Sequence, residues 1–228
     1  MTSTPVSTMA SLGIKRSLFI VLMALLATLA SHAQELQEGD LLFTCSEEPN
    51  AITDVTSGVE QLPIDHVAVV HRIGGETGPL YVIEAIKPVV CLTPIDTFLC
   101  RNPQVVVGMV NTTFDVHNSI KRCLSMVGRP YDDLYLPGDS AVYCSELVQM
   151  SYVVEDGSQV FETVPMSFHD ASGKVTNYWT EFYAEHGMAV PEGEPGTNPG
   201  ELSRHPQVTI LGKIGPSCSI HQSSGQER

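Results

Sequence analysis

The amino-acid sequence predicts an α+β protein in which an antiparallel sheet packs against helices. Short runs rich in Val and Ile, each bounded by Gly, Pro or Asp, fill the first half of the chain and are typical of strands. Segments in which apolar residues recur at helical spacing follow in the second half. Gly74-Gly75 and Gly78-Pro79 lie between two of the strands and favour a hairpin, hence antiparallel pairing.

The composition limits the classes of protein to which the chain can belong. Its 228 residues are 43% hydrophobic and 17% charged, which is typical of a globular protein and not of a disordered or multiply membrane-spanning chain. The formal net charge of -14 opposes nonspecific nucleic-acid binding and a polybasic membrane anchor. We therefore expect neutral or cationic partners and no nucleic acid.

The N-terminus has the pattern of a secretory signal. Lys15 and Arg16 precede an apolar run over residues 18–30, and the small residues Ser31 and Ala33 follow it. A retained membrane anchor is the alternative, but this run is shorter than the ~20 residues that cross a bilayer. We predict cleavage after Ala33 and export to the periplasm or the extracellular space, with no stable membrane anchor.

Residues 34–216 are predicted to form one domain, and the polar tail at residues 217–228 is predicted to fray. All six cysteines lie in the part predicted to be exported, but without any CxxC pair that would indicate a zinc knuckle or a redox motif. We therefore predict neither metal nor cofactor. Five of the cysteines are expected to be buried thiols or to form a single disulfide: Cys45, Cys91, Cys100, Cys123 and Cys218.

The strands are predicted at residues 41–44, 66–72, 80–85, 89–92 and 105–110. Helices are predicted from an Asp115 cap to residue 127, from residue 144 to about 153, and over residues 177–186. A Pro- and Gly-rich stretch at residues 191–199 is interpreted as an ordered loop that folds back over a site.

Cys144 is the leading candidate for a nucleophile. A cysteine in the first turn of a helix lies at the positive end of the helix dipole, which favours the thiolate. The unpaired N–H groups of the same turn can stabilise an oxyanion. The alternative is a structural thiol in the core.

His66 and Glu84 complete a candidate catalytic set. His66 begins an apolar strand, where it shares a face with Ala68 and Val70 that a helix could cover, and a histidine is the usual base for a cysteine nucleophile. Glu84 is an acid within an apolar strand and needs a partner if it is buried. The two side chains can meet across neighbouring strands. A structural histidine and an outward-facing Glu84 on an edge strand are the alternatives.

Five motifs follow one another along the chain: Gly39-Asp40-Leu41-Leu42-Phe43, Asp65-His66-Val67-Ala68, Ile83-Glu84-Ala85, Gly128-Arg129-Pro130-Tyr131-Asp132 and Tyr143-Cys144-Ser145-Glu146-Leu147-Val148. In this order they resemble the permuted papain-like hydrolases of the YiiX/YaeF type, part of the wider NlpC-like superfamily of cysteine peptidases and amidases. The resemblance spans about residues 38–207.

The resemblance implies a circularly permuted papain-like fold, in which the histidine strand precedes the helix that carries the cysteine. It implies that Cys144 is the nucleophile, His66 the acid and base, Glu84 the orienting group and Tyr143 a group at the oxyanion site. The predicted function is an exported cysteine hydrolase that cleaves an amide, such as a small amide or a peptidoglycan-stem peptide of the cell wall. A lipid acyltransferase or thioesterase that uses the same residues, and a catalytically silent binding module, are the alternatives.

Overall fold

A six-stranded antiparallel sheet forms the centre of the structure, a computed structural model that describes residues 35–75, 77–138 and 140–215. The predicted signal peptide (1–33) and tail (217–228) lie outside the described residues. Its strands are β1 (Leu41–Cys45), β2 (Ile64–Arg72), β3 (Leu80–Ile86), β4 (Val89–Pro94), β5 (Val105–Val110) and β8 (Val208–Ile214). The sheet order is β4-β3-β2-β1-β5-β8, and every neighbouring pair is antiparallel.

The five strands predicted from the sequence all form, whereas β8 was not predicted. The short strands β6 (Val164–Pro165) and β7 (Pro195–Gly196) pair in a separate two-stranded ribbon. β8 lies at the edge of the main sheet beside β5, and its ladder shifts register near Gly212. Glycine and lysine interrupt its apolar pattern, which is why the sequence signal there is weak.

Helices lie between and after the strands. They are α1 (Ile95–Arg101), α2 (Val116–Ser125), α3 (Cys144–Ser151), α4 (Asn177–Glu185) and α5 (Pro199–Ser203), with a 3-10 turn at Val59–Gln61. The Asp115 carboxylate accepts a hydrogen bond from the Asn118 N–H at 2.8 Å, which fixes the start of α2 as predicted. α1 was not predicted, because its seven residues follow β4 without a separating loop.

The two faces of the sheet pack against different helices. Val67 and Val69 belong to the core cluster that includes Leu147 of α3. The opposite face, with Ala68 and Val70, packs against α1 through the fully buried Phe98. A helix therefore does cover the face with Ala68 and Val70, but this helix is α1 and not the one that carries Cys144. Each fully buried aliphatic side chain contributes about 1.5–3 kcal/mol to this packing.

A third apolar cluster is aromatic and includes Phe168 together with Trp179 and Tyr183 of α4. The Trp179 indole N–H donates to the Ala51 carbonyl at 3.1 Å, and the Tyr183 hydroxyl donates to the Leu134 carbonyl at 2.9 Å. These two hydrogen bonds hold the loops around residues 51 and 134 against α4.

The cysteines other than Cys144 differ in burial and in whether they form a disulfide. Cys45 and Cys123 are buried free thiols, as predicted, and Cys91 is a half-buried free thiol. Cys100 is disulfide-bonded, and Cys218 lies outside the described residues. None of the helices in the described part of the chain has the length and apolar character to cross a membrane.

Candidate active site

Cys144 is the first residue of α3 and is 5% exposed. Tyr143, the residue before it, has an extended backbone, and its carbonyl accepts the Leu147 N–H at 2.9 Å. The N–H groups of the first helical turn have no acceptor within the helix. The Cys144 sulfur therefore lies at the positive end of the helix, beside donors that can face a developing negative charge.

His66 lies at a bulge in β2. Thr44 of β1 is opposite His66 and Cys45 is opposite Ile64, so Asp65 has no opposite residue. A bulge re-aims the side chains beside it. The His66 imidazole beside this bulge is hydrogen-bonded to Glu84 and lies close enough to Cys144 to interact with its side chain.

The two ring nitrogens of His66 serve different neighbours. Nε2 lies 2.9 Å from the Glu84 Oε2 atom. Nδ1 is therefore the nitrogen that is left for the Cys144 sulfur. The structure thus brings together the three residues that the sequence singled out, in the order Cys144, His66, Glu84.

Glu84 is fully buried in β3, which lies between β2 and β4 and is not an edge strand. Besides His66, its carboxylate accepts the Thr93 hydroxyl at 2.5 Å and the Arg101 guanidinium. These three donors satisfy a carboxylate that would be costly to bury alone. Sequence reasoning missed both Thr93 and Arg101.

The contacts perturb the two titrating groups in opposite directions. Burial by itself lowers the pKa of His66, but the hydrogen bonds and charges of Cys144 and Glu84 outweigh it and raise the pKa to about 10. Burial by itself raises the pKa of Glu84, yet the hydrogen bond and charge of His66, with help from Thr93 and Arg101, hold the pKa below its ordinary value of 4.5. At neutral pH the pair is therefore an imidazolium and a carboxylate.

Tyr143 is buried and connects α3 to the loop at residues 191–199. Its phenol oxygen accepts the Thr197 N–H at 3.0 Å. Burial raises its pKa to about 12, so the hydroxyl keeps its proton at neutral pH. Part of the loop lines the cleft beside Cys144, through Thr197, Asn198 and Pro199. The role of Tyr143 at the oxyanion site stays a prediction.

A cleft of about 550 Å³, including its open mouth, borders Cys144. Most of its lining is aromatic or aliphatic, from Ile52, Val55, Tyr131, Tyr135, Met166, Phe168 and Trp179. Asp65 is the acidic side chain of this lining, and its carboxylate accepts hydrogen bonds from Thr44 Oγ1 at 3.1 Å and Asn50 Nδ2 at 2.9 Å. The sequence marked Asp65 only as a neighbour of His66 and gave no sign of the apolar lining.

Comparisons with known proteins identify the family of this chain. The model of a family described as permuted papain-like amidase enzymes (YaeF/YiiX, C92 family) matches residues 35–212. A relative, the uncharacterized protein YiiX of Escherichia coli K12, is 26% identical in an alignment of 212 residues that covers 88% of this chain and 98% of the relative.

A solved structure has the same fold. It is the crystal structure of the "metalloprotein yiiX" of Escherichia coli O157:H7, which is 22% identical, with a TM-score of 0.63, and the match covers 79% of this chain and 98% of that one. In residues 35–75, 77–138 and 140–215 of the present chain, no group of three or more His, Cys, Asp or Glu side chains is placed to hold a metal ion.

Proposed function

The chain belongs to the permuted papain-like amidase family, and on this premise we propose that it is an exported cysteine hydrolase that cleaves an amide through Cys144, His66 and Glu84. One observation carries the proposal: the His66 imidazole is hydrogen-bonded to the buried Glu84 carboxylate and lies close enough to Cys144 for that residue to raise the pKa of the ring. A nucleophile, a proton carrier and an orienting acid in contact are the parts that acyl transfer through a cysteine requires.

The resting state is an ion pair. His66 is protonated at neutral pH because its pKa is raised to about 10. An imidazolium and a helix N-terminus beside a cysteine both favour the thiolate, which is the nucleophilic form. Glu84 holds the ring through Nε2, which leaves Nδ1–H as the nitrogen available to the sulfur.

Acylation forms a C–S bond and breaks a C–N bond. The Cys144 thiolate attacks the amide carbonyl, and the negative charge moves onto the carbonyl oxygen. The Cys144 backbone N–H and the Tyr143 hydroxyl are the donors that we assign to this oxyanion. The intermediate then collapses, the imidazolium gives its proton to the leaving nitrogen, and a thioester on Cys144 remains with a neutral imidazole.

Deacylation reverses the proton's path. The neutral His66 takes a proton from a water molecule as its oxygen attacks the thioester carbonyl. The C–S bond breaks, the acid product leaves, and the thiolate and imidazolium are restored.

The lining of the cleft supports a substrate with an apolar group next to the scissile carbonyl. Trp179, Met166 and Phe168 offer mostly hydrocarbon surface to anything that reaches the Cys144 sulfur. Small amides and peptides with an apolar residue at that position, including cell-wall peptides, meet this requirement.

The same apolar lining favours a second candidate function, transfer or hydrolysis of a lipid acyl group by the same three residues. In that reaction the acyl chain occupies the cleft, and an amine or another acceptor replaces water in the second step. The two candidates differ in the acceptor and in the preferred acyl chain.

Export is part of the proposal and rests on the sequence of residues 1–33. Cleavage after Ala33 leaves Leu36 and the rest of the described fold intact. Expression with the native N-terminus, followed by N-terminal sequencing of the protein outside the cytoplasm, tests this part.

Turnover of a substrate panel tests the function. The panel holds peptide p-nitroanilides, peptidoglycan stem peptides and p-nitrophenyl esters with acyl chains of increasing length, each with water or a primary amine as acceptor. We expect Cys144→Ala to lose turnover and Lys213→Met, whose side chain pairs with Glu60 outside the cleft, to retain it. Unchanged turnover in Cys144→Ala contradicts the proposal. A folded wild-type protein whose Cys144 is alkylated no faster than Cys91 supports the silent binding module instead.

A further inference from the structure

A cation on α1 shares the carboxylate that orients His66. The Arg101 guanidinium binds Glu84 Oε2, the same oxygen that lies 2.9 Å from His66 Nε2. Arg101 comes from the helix on the sheet face with Ala68 and Val70, whereas Cys144 comes from the helix on the other face. The mechanism above assigns no role to this contact.

The need for such a cation follows from burial. Glu84 has no exposed surface, and removing a carboxylate from water favours its neutral form. A neutral Glu84 could not balance the imidazolium. His66 is one counter-charge, but it gives up its proton during acylation. At that stage the carboxylate needs a cation whose charge does not change, and a guanidinium is protonated at every pH of interest.

The contact is also well supported mechanically. Arg101 is the last residue of α1, and its guanidinium carbon lies 5.4 Å from the centre of the Phe98 ring. Phe98 itself is fully buried beneath the sheet. The Arg101 guanidinium therefore lies against a buried ring, although the side chain as a whole is 38% exposed.

We propose that Arg101 is a positioning residue, which keeps the Glu84 carboxylate ionised and in place for His66 throughout the catalytic cycle. This inference rests on the proposed function, because it assigns Arg101 a task within that reaction. Arg101 acts through Glu84 and does not touch the reacting atoms.

Other side chains also surround the Glu84 carboxylate, and the experiment must distinguish their effects from that of Arg101. His66 approaches from β2, and Cys144 of α3 lies beyond its imidazole. From β4 comes the Thr93 hydroxyl, and Cys91, opposite Glu84 in the ladder, has its sulfur 3.7 Å from that hydroxyl. Arg101 is the fixed cation among these groups.

The experiment measures the rate at which iodoacetamide alkylates Cys144 between pH 4 and pH 8, with mass spectrometry to separate Cys144 from Cys91. It compares wild type, Arg101→Met, Arg101→Gln and Arg101→Lys, with Lys213→Met as a control for loss of a cation elsewhere. We expect iodoacetamide to alkylate Cys144 about tenfold more slowly in Arg101→Met than in wild type at the acid end of this range. Arg101→Lys restores most of the rate, and Arg101→Gln, which keeps a donor without the charge, lies between them.

A double-mutant comparison identifies the route of the effect. In a Glu84→Gln background, Arg101→Met is expected to change the rate by less than about twofold, because the carboxylate through which Arg101 acts is gone. The inference is overturned if Arg101→Met is alkylated at Cys144 as fast as wild type at every pH. It is also overturned if Arg101→Met slows alkylation equally in the wild-type and Glu84→Gln backgrounds. If Arg101→Met does not fold, the Gln and Lys variants decide between the same outcomes. The alkylation assay needs no substrate, so it tests the role of Arg101 independently of turnover. The proposed function is tested separately, and turnover that is retained in Cys144→Ala would contradict it.

Discussion

His66 Nε2 lies 2.9 Å from Glu84 Oε2, and this contact joins two neighbouring strands at the end of the sheet where the cysteine helix begins. The carboxylate is fully buried, whereas the imidazole side chain is 18% exposed. The ring is therefore held from inside the protein and remains accessible from outside.

Glu84→Gln keeps the shape of the side chain and removes its charge. We expect kcat to fall about a hundredfold, because the imidazolium loses the partner that orients and stabilises it. Glu38→Gln is the matched control. The Glu38 carboxylate makes a comparable contact with His71 Nδ1, at 2.7 Å, and neither residue lines the cleft. Equal losses in the two variants would mean that the Glu84 contact has no special role in turnover.

The stability of the fold should depend on pH through the same pair. The pKa of His66 is about 10 in the folded protein and 6.5 when unperturbed, so the folded state binds the extra proton between these values. The stabilisation is complete below about pH 6.5 and is lost as the pH rises to about 10. On the acid side, the lowered pKa of Glu84 adds stability above pH 4.5 that is lost as the pH falls through the lowered value.

Urea denaturation at several pH values between 6 and 10 measures this dependence. In Glu84→Gln the pKa of His66 is raised less, so its free energy of unfolding should decline less steeply than that of wild type over the same range. Parallel curves for the two proteins would contradict the assignment of the elevated pKa to this pair.

Tyr143→Phe removes the acceptor of the Thr197 N–H, a buried donor that then lacks its partner. The expected cost is about 1–3 kcal/mol of unfolding free energy, with faster hydrogen exchange at the Thr197 amide. Because Tyr143 is also assigned to the oxyanion, kcat should fall about a hundredfold. The control is Tyr178→Phe, whose side chain is largely exposed. Loss of stability without loss of kcat would leave Tyr143 only its contact with the loop.

Met166→Gln places a polar amide in the apolar lining of the cleft at nearly constant length. We expect kcat/KM for apolar substrates to fall about tenfold relative to small polar ones, because the pocket loses hydrocarbon contact with the acyl or side-chain group. The same substitution at the exposed Met109 of β5 controls for the change in composition. An unchanged preference in Met166→Gln would place the substrate's apolar group elsewhere.

Five strands of the main sheet and the three central residues could be predicted from the sequence. Apolar runs rich in Val and Ile located β2, β3 and β5, and an acid within the apolar run of β3 marked Glu84 as a residue that needs a partner. Cys144 stood out because it opens a helix. Each of these signals lies within a few neighbouring residues, and the resemblance to the permuted papain-like hydrolases implied that the three residues act together.

The groups that surround the triad could not be predicted in the same way. Thr93 reaches Glu84 only because of the register of the β3–β4 hairpin, and Arg101 only because α1 turns back beneath the sheet. The cleft wall joins Ile52, Met166 and Trp179, which are far apart in the sequence and come together through loops without periodic patterns. Their positions depend on tertiary packing, which a single sequence does not encode locally.

The most direct test of the account is to locate the acyl-enzyme. Wild-type protein is mixed with a p-nitrophenyl ester or an activated peptide amide, quenched over time, and analysed by intact mass and peptide mapping. The account predicts a transient adduct on Cys144 that forms with release of the leaving group, decays with appearance of the acid, and is absent from Cys144→Ala. Turnover that proceeds without an adduct on Cys144, and equally well in Cys144→Ala, would contradict it.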